Sequence, residues 1–495
     1  MYSERKLHPI ALLKEMFDNL RKSIIPIVIG LFYIFQAIKN NQWFQAWLFP
    51  ILIIIVILLM FAPAMIKYWT YRYTLEEKGL RIKYGLIFRK NIFIPYERIQ
   101  TVQQKQWFFF IPFNVVQILV ETAGTSGKAE ADLSAVPKSV AQELKDLRDG
   151  KKAEKAVEQG ENPDQVIKKA FAVQNESEDS IRTVELKTKE LLLMAVTSSG
   201  VFGSLALIIA FLSQFWEAIP EEWLASGFEQ AIRLGILLFV VIAILLLIVL
   251  WIFSIILTLF KFFQFKLHQF EDHLVVEKGL FERDTTTIKY ERIQGVVIVE
   301  SPLRQILRLV SVKIITAGGA DEQNQSGNIL LIPIMKKQLA LETIKEMLPA
   351  YHFEEAKIEK LPKQNLARFL MIYLVWSIIP FLILSVLFYP YGLIAVLLPL
   401  FAGLKAIASF RATGFSLSEG TLLLRARPFL SKTTHLVRKE RIQSMKVSRS
   451  IWMERTKTNH LSIALKSGNS ETTPFLRYLS GEQAERLYKW YHPNV

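Results

Sequence analysis

Long uncharged apolar runs constrain this chain more than any other feature. Crossing ~30 Å of hydrocarbon takes ~20 mainly apolar residues at ~1.5 Å of rise each. Uncharged windows occur at Ser23–Ile38, Gln42–Ile66, Leu191–Trp216 and Leu234–Phe260, and across Phe369–Leu404. The last is interrupted by Tyr389-Pro390-Tyr391-Gly392, a turn signature. The windows read as three helical hairpins, six spans in all, with Ser23–Ile38 the shortest.

Charge sets the orientation. The turn between spans three and four carries Glu217, Glu221, Glu222 and Glu229, with no base before Arg233. Arg21, Lys22, Lys67, Arg72, Lys187, Lys261, Lys266, Arg368 and Lys405 lie at the opposite ends of the spans. Lys and Arg accumulate on the cytoplasmic side of membrane proteins. Both termini and every large polar segment are therefore expected in the cytoplasm. The net charge of +15, from 60 Lys+Arg against 45 Asp+Glu, is largely a result of this topology. No Arg-rich helix or aromatic RNA platform is present, so nucleic acid is not an expected partner.

Several chemistries are disfavoured. The chain has no Cys, which removes thiolate metal sites, disulfides and Cys nucleophiles. Its seven His form no zinc-type pair, and His268 and His273 lack the required spacing. No cofactor is expected. The windows hold no Asp, Glu, His, Lys or Arg, whereas ion-coupled carriers usually place one within the membrane.

The polar segments repeat. Tyr96-Glu97-Arg98-Ile99-Gln100 returns as Tyr290-Glu291-Arg292-Ile293-Gln294 and as Lys439-Glu440-Arg441-Ile442-Gln443. Glu77-Lys78-Gly79-Leu80 returns as Glu277-Lys278-Gly279-Leu280, more loosely as Ser418-Glu419-Gly420-Thr421. Thr122-Ala123-Gly124 matches Thr316-Ala317-Gly318. The unit is a helical hairpin followed by a polar domain, three times over. The boundaries are an amphipathic segment 1–22, hairpin 23–67, domain 68–150, charged linker 151–190, hairpin 191–261, domain 262–352, linker 353–365, hairpin 366–407 and domain 408–495.

Each domain reads as strands closed by a helix. Period-two patterns mark strands over Arg72–Leu75, Leu80–Tyr84, Ile92–Val102 and Val115–Thr122 in the first repeat. The second has them at Phe265–Leu267, Leu274–Val276, Thr286–Val299 and Val310–Thr316. Helices are expected over Pro137–Leu147, Pro333–Leu348 and Gly481–Tyr491, the last with capping-box spacing from Ser480 to Gln483. Gly79, Gly279 and Gly420 are expected to supply positive φ in strand-connecting turns, with Gly124 and Gly318 doing so later.

The Glu-x-Gly-Leu turn, Glu-Arg-Ile-Gln strand, Thr-Ala-Gly turn and closing helix resemble the bacterial pleckstrin-homology (PH) domain of the membrane-protein type. Three such domains, each behind a helix pair, resemble the YdbT family of bacterial membrane proteins. The resemblance implies an α+β membrane protein in which each cytoplasmic domain is a partly open β-barrel capped by a C-terminal helix. It implies a bacterial inner-membrane location and does not imply a reaction. It also suggests a companion membrane protein carrying one similar domain, or self-association, as partner.

The candidate interaction or structural residues are Glu97, Arg98, Gln100, Glu291, Arg292, Gln294, Glu440, Arg441 and Gln443. On an extended strand, Tyr96, Arg98 and Gln100 share one face and Ile99 points to the other. Ile99, Ile293 and Ile442 then fill cores, and the Arg and Gln pair locally or line a groove. Glu97 and Arg98 have no nucleophile or second carboxylate for acid–base chemistry. The run Trp107, Phe108, Phe109 and Phe110 is a candidate membrane-interface element, as is the stripe Ile10, Leu13, Phe17 and Leu20, making membrane lipids a second expected partner. These readings favour a non-enzymatic scaffold or interaction protein, suited to envelope maintenance or resistance to membrane-active compounds. A transporter or channel component and an inner-leaflet lipid sensor are the alternatives.

Overall fold

The computed structural model describes residues 4–20, 64–86, 88–122, 130–144, 146–147, 180–198, 236–317, 328–351, 358–389, 391–418, 420–467 and 470–492, with isolated positions 23, 51, 61 and 62. They fall into two compact units. One comprises Met1–Thr125, Ala129–Leu186 and Ser198–Thr287; the other comprises Ser126–Lys128, Lys187–Thr197 and Ile288–Val495.

In the first unit the strands are β1 (Arg72–Leu75), β2 (Gly79–Tyr84), β3 (Lys90–Pro95), β4 (Ile99–Trp107), β5 (Val115–Thr122), β6 (Ala131–Pro137), β7 (Arg182–Glu185), β8 (Lys266–Gln269), β9 (His273–Lys278) and most of β10 (Glu282–Lys289). β1-β2-β3 is a small antiparallel sheet, and β6-β5-β4-β10-β9-β8-β7 is a second. Tyr73, Leu80, Ile82, Ile94, Ile118, Val120, Leu133 and Leu144 build one apolar core. Alternation along β2, with Leu80 and Ile82 inward, accounts for the sheet's half-buried pattern.

The N-terminal segment docks on this core. Leu7 and Ala11 are buried in it, and Arg5 bridges to Tyr73 on β1. Arg5 also pairs with Glu143 at 2.7 Å, and Lys67 with Glu15 at 2.7 Å. A helix over 10–20 follows, with Leu13, Phe17 and Leu20 exposed. The face turned inward is thus Ala11, Lys14 and Glu15, leaving much of the apolar stripe outward.

In the second unit β11 (Ile293–Glu300), β12 (Leu309–Thr316), β13 (Asn328–Lys336), β14 (Glu359–Lys360), β15 (Gly414–Leu417), β16 (Thr421–Ala426) and β17 (Lys432–Arg438) form one sheet, in the order β13-β12-β11-β17-β16-β15-β14. β18 (Ile442–Ser448), β19 (Thr458–Ser467), β20 (Ser470–Thr472) and β21 (Phe475–Ser480) form another, with β19 central. The closing helices are Lys337–Met347 and Gly481–Tyr491. The second begins with the expected capping box, Gln483 N–H donating to Ser480 Oγ and Ser480 N–H to Gln483 Oε1.

Short strands brace the base of the apolar excursions. β7 precedes the second hairpin region in sequence and β8 follows it, yet they pair antiparallel. β14 and β15 flank the third in the same way. Arg5 and Tyr73 flank the first. Among the described residues two helices are long and apolar enough to span a bilayer, Lys363–Leu387 (25 residues) and Gly392–Ala412 (21 residues). Leu247–Lys261 is a shorter apolar helix, the end of Ile236–Lys261. Both spans of the first hairpin lie outside the described residues, apart from isolated positions and Ala64–Ile66, as do most of span three and of the linker 151–190.

Five local expectations are corrected. The strands expected over Ile92–Val102 and Thr286–Val299 are each broken by a 3₁₀ turn, at Tyr96–Arg98 and Tyr290–Arg292. Pro333 lies inside β13 rather than at a helix start, tolerated because β13 is an edge strand. Positive φ occurs at Gly85 (+105°) and Gly279 (+109°), not at Gly79 or Gly420. Gly79 is instead required by close approach to the Ile94 carbonyl, while Gly420 borders open space. Gly124 and Gly318 lie outside the described residues.

The equivalent glycines are therefore Gly85 and Gly279, each twelve residues before its motif glutamate. At Gly279 a Cβ would collide with the Glu282 carbonyl oxygen, on a backbone that L-residues disfavour. Gly279→Val is expected to destabilise the first unit by about 3 kcal/mol. Thermal melting of the detergent-solubilised chain measures it, and an unchanged midpoint would refute the turn assignment.

Candidate interaction interface

The shared motif is a corner, not a flat strand. In each repeat three residues form a 3₁₀ turn and the following Ile begins a new strand: Tyr96–Arg98 before β4, Tyr290–Arg292 before β11 and Lys439–Arg441 before β18. The Ile N–H donates to the carbonyl of the turn's first residue in all three. The corner is anchored by Tyr96 N–H donating to Lys78 O (3.3 Å), and by Lys439 N–H donating to Gly420 O (2.8 Å). Tyr96 Oη also donates to Glu76 O at 2.8 Å. Ile99, Ile293 and Ile442 are all buried, as their apolar side chains require.

The charged motif residues sit outside these cores. Glu97, Arg98, Glu291, Glu440 and Gln443 are exposed, and Arg292 and Arg441 are half-buried. Gln294 is buried and donates to Arg292 O at 3.3 Å. Glu440 accepts from Arg438 at 2.6 Å. Nε of Arg441 is buried without a hydrogen-bond partner. The Gln100 side chain lies outside the described residues. The extended-face arrangement of Tyr96, Arg98 and Gln100 does not form, because the turn rotates Arg98 away before β4 starts. Among the described residues no cluster of His, Asp and Glu could hold a metal ion.

Tyrosines after the closing strands lock the corner. Tyr351 Oη donates to Ile293 O at 2.9 Å, and Tyr491 Oη reaches Ile442 O at 3.4 Å. Burial pushes the Tyr351 phenol up to about 12, although Arg441 and Arg438 oppose the shift. Because the folded value lies above the ordinary 10, this contribution is complete below about pH 10 and is lost as pH rises toward 12. Tyr351→Phe is expected to cost about 1 kcal/mol at neutral pH. It should also abolish this part of the alkaline loss, as melts from neutral to about pH 11 would show.

Sequence reasoning missed the contacts between repeats. In the first unit β4 pairs with β10, so a strand of the first repeat joins one of the second. In the second unit β11 pairs with β17, joining the second repeat to the third. The register is the same. Lys105, eight residues after Glu97, pairs with Asp284, seven before Glu291. Val299, eight after Glu291, pairs with Thr433, seven before Glu440.

Side chains seal both joints. At the first, Gln103 Nε2 donates to Asp284 Oδ1 (3.0 Å) while Lys105 meets Glu282 (3.5 Å) and Lys278 meets Asp284 (3.5 Å). At the second, buried Glu300 holds Lys432 at 3.0 Å and Lys337 at 3.8 Å. The hairpin tip of the incoming repeat is gripped as well. Phe108 N–H donates to Phe281 O (2.7 Å), and Gln305 Nε2 to Leu430 O (3.3 Å). Phe281 and Leu430 each lie ten residues before their motif glutamate.

The aromatic run divides among three tasks. Phe110 is fully buried (0% exposed) in the first core, so it does not reach a membrane surface. Trp107 and Phe109 pack against that core, and Trp107 also meets Phe17 edge-on. Phe108 remains 54% exposed and touches Phe281, which in turn meets Phe260.

Repeated sheets, a motif-bearing corner and a closing helix define a protein of the bacterial PH class. The Bacterial PH domain family model matches residues 24–152, 200–351 and 366–495, and the chain belongs to that family. Its sequence is 27% identical, over 497 residues, to the UPF0699 transmembrane protein YdbT of Bacillus subtilis (strain 168), covering 99% of this chain and 98% of that protein. A transmembrane relative and two long apolar helices agree on a membrane-associated protein.

Proposed function

We propose that this chain is a non-enzymatic scaffold that crosses the bacterial inner membrane six times and holds three PH-like domains in the cytoplasm as protein-binding modules. The repeated β4–β10 and β11–β17 joints carry this reading, because in each of them one repeat holds a strand edge of the next. Strand pairing across the base of each apolar excursion supports the topology, since each excursion starts and ends at one sheet. A companion membrane protein with one PH-like domain, or self-association, fits such a scaffold, as does a role in envelope maintenance or resistance to membrane-active compounds. Crosslinking in native membranes should trap a defined protein partner, and a chain with none under any condition overturns the reading. Reporter fusions should place all three domains inside; an external signal from any one overturns the topology.

A lipid-sensing reading has one specific support. Arg304 is buried and, among the described residues, bonds to neutral oxygens: Thr197 Oγ1, Ser311 Oγ and Pro333 O. Burial lowers its pKa, and that of Lys313 is lowered by burial and by Arg304. If an anionic headgroup fills this site, Arg304→Leu should abolish salt-sensitive binding to anionic liposomes. Unchanged binding leaves Arg304 a strut between strands.

A further inference from the structure

We propose that the array continues from chain to chain: β18 of one copy pairs with β3 of a second copy, in the register of the two internal joints. The proposal rests on the scaffold reading above and names the partner at its two ends.

Among the described residues, three repeats that join in series use up two pairs of edges and leave one edge at each end. β10 and β17 are the third strands of their repeats and are paired to a preceding repeat. The third strand of the first repeat is β3, and it lies at the edge of its sheet. β4 and β11, the strands following the corners, receive them. Their counterpart in the third repeat is β18, also an edge. The two remaining edges are therefore of the complementary kinds that join elsewhere in the chain. An exposed strand edge presents a row of backbone donors and acceptors that readily pairs with another strand.

Carrying the shared register forward places Ser448, eight residues after Glu440, opposite Lys90, seven before Glu97. Asn91 then faces Val447, and Phe93 faces Met445. Asn91, Phe93 and Val447 are exposed. The side chains that would flank the ladder are also in place. Phe108, which grips the incoming tip in the first unit, lies eleven residues after Glu97. At that offset in the third repeat stands Ile451 (82% exposed), followed by Trp452 (73% exposed). The first repeat's own hairpin tip presents Leu86 and Phe88 (86% exposed). A cavity of about 600 Å³ beside it is lined by Trp69, Tyr84 and Leu86, among others. Among the described residues, apolar platform and apolar tip thus stand exposed in the third and first repeats, at the positions where the first internal joint sets Phe108 against Phe281.

Such a contact is heterologous, so copies would assemble head to tail rather than as a closed twofold dimer. One feature tunes its strength. Arg89 falls opposite Arg449, where the second internal joint has Lys432 opposite Glu300. Arg449 is turned onto Asn459 at 2.9 Å. Like charges facing one another weaken strand pairing.

The absence of Cys allows a direct test. Two tagged full-length chains, Asn91→Cys and Val447→Cys, are co-expressed, and isolated membranes are oxidised with copper phenanthroline. Opposed residues of an antiparallel pair lie within disulfide range. A mixed disulfide is expected, and none when Lys446→Cys replaces Val447→Cys, because a one-residue slip turns the thiol to the other face. Adding Arg449→Glu to the Val447→Cys chain should raise the yield about fivefold. Three results overturn the proposal. One is equal linking by the slipped pair. Another is a link confined within single chains that carry both cysteines. The third is no mixed disulfide from the Asn91→Cys and Val447→Cys pair. Absence of the link alongside capture of a different protein by native crosslinking defeats this proposal and leaves the scaffold; absence of both defeats the two together.

Discussion

Phe110→Ala is expected to destabilise the first unit by about 3–5 kcal/mol. Its ring is wholly enclosed among core residues and meets Phe109 edge-on at 5.0 Å. Truncation removes that burial and leaves a cavity that strands β4 and β5 cannot collapse without shifting their ladder. Phe108→Ala, two residues earlier, should cost only about 1 kcal/mol, the scale of its edge-on ring contacts. Thermal or urea unfolding of the solubilised chain would show the difference. Comparable losses at both positions would mean that the run acts as one surface element.

Glu300→Ala should cost about 3 kcal/mol and loosen the joint between the second and third repeats. Lys432 is left without its 3.0 Å partner in a largely buried place. Burial already lowers the Lys432 pKa despite Glu300, so losing the carboxylate deepens the depression. A lysine depressed in the folded state is costly while it must stay protonated, and that cost fades as pH rises toward its ordinary 10.5. The variant should therefore recover part of its stability at alkaline pH. The double variant Glu300→Leu with Lys432→Met should recover most of it at neutral pH, because an apolar pair removes both desolvation costs. A double variant as weak as the single one would show that packing, not charge, holds the joint.

The threefold domain repeat could be read from residue types alone. Charge-free windows alternate with polar stretches, and Glu-Arg-Ile-Gln appears three times. The Glu-Lys-Gly-Leu repeat misled, and its spacing contained the warning. Glu77 precedes Glu97 by 20 residues, Glu277 precedes Glu291 by 14, and Glu419 precedes Glu440 by 21. A difference of six residues is about one short strand, so Gly279 occupies a turn later than Gly79 does. The corner at Tyr96–Arg98 was harder to see, since Tyr, Glu and Arg carry no turn signature in themselves.

The joints left a fainter trace. Val296-Val297-Ile298-Val299 is an unbroken apolar run, the pattern of a strand with neighbours on both sides rather than at an edge. Its partner β17 lies well over a hundred residues onward in sequence, and nothing local marks the pairing. The bracing strands were invisible for a similar reason. β7 and β14 have four and two residues in polar linkers, and each becomes a strand only by pairing across a long apolar stretch of sequence.

That last arrangement fixes an order of events during synthesis. β7 ends at Glu185 and β8 begins at Lys266, with 80 residues between them. At about 5–20 residues per second, the earlier strand emerges roughly 4–16 s before its mate exists. The whole intervening apolar stretch must be synthesised first, and only the returning chain can zip the edge shut. Closure of that edge is thus timed by the arrival of β8, and a chain stopped before it leaves β7 without its ladder partner.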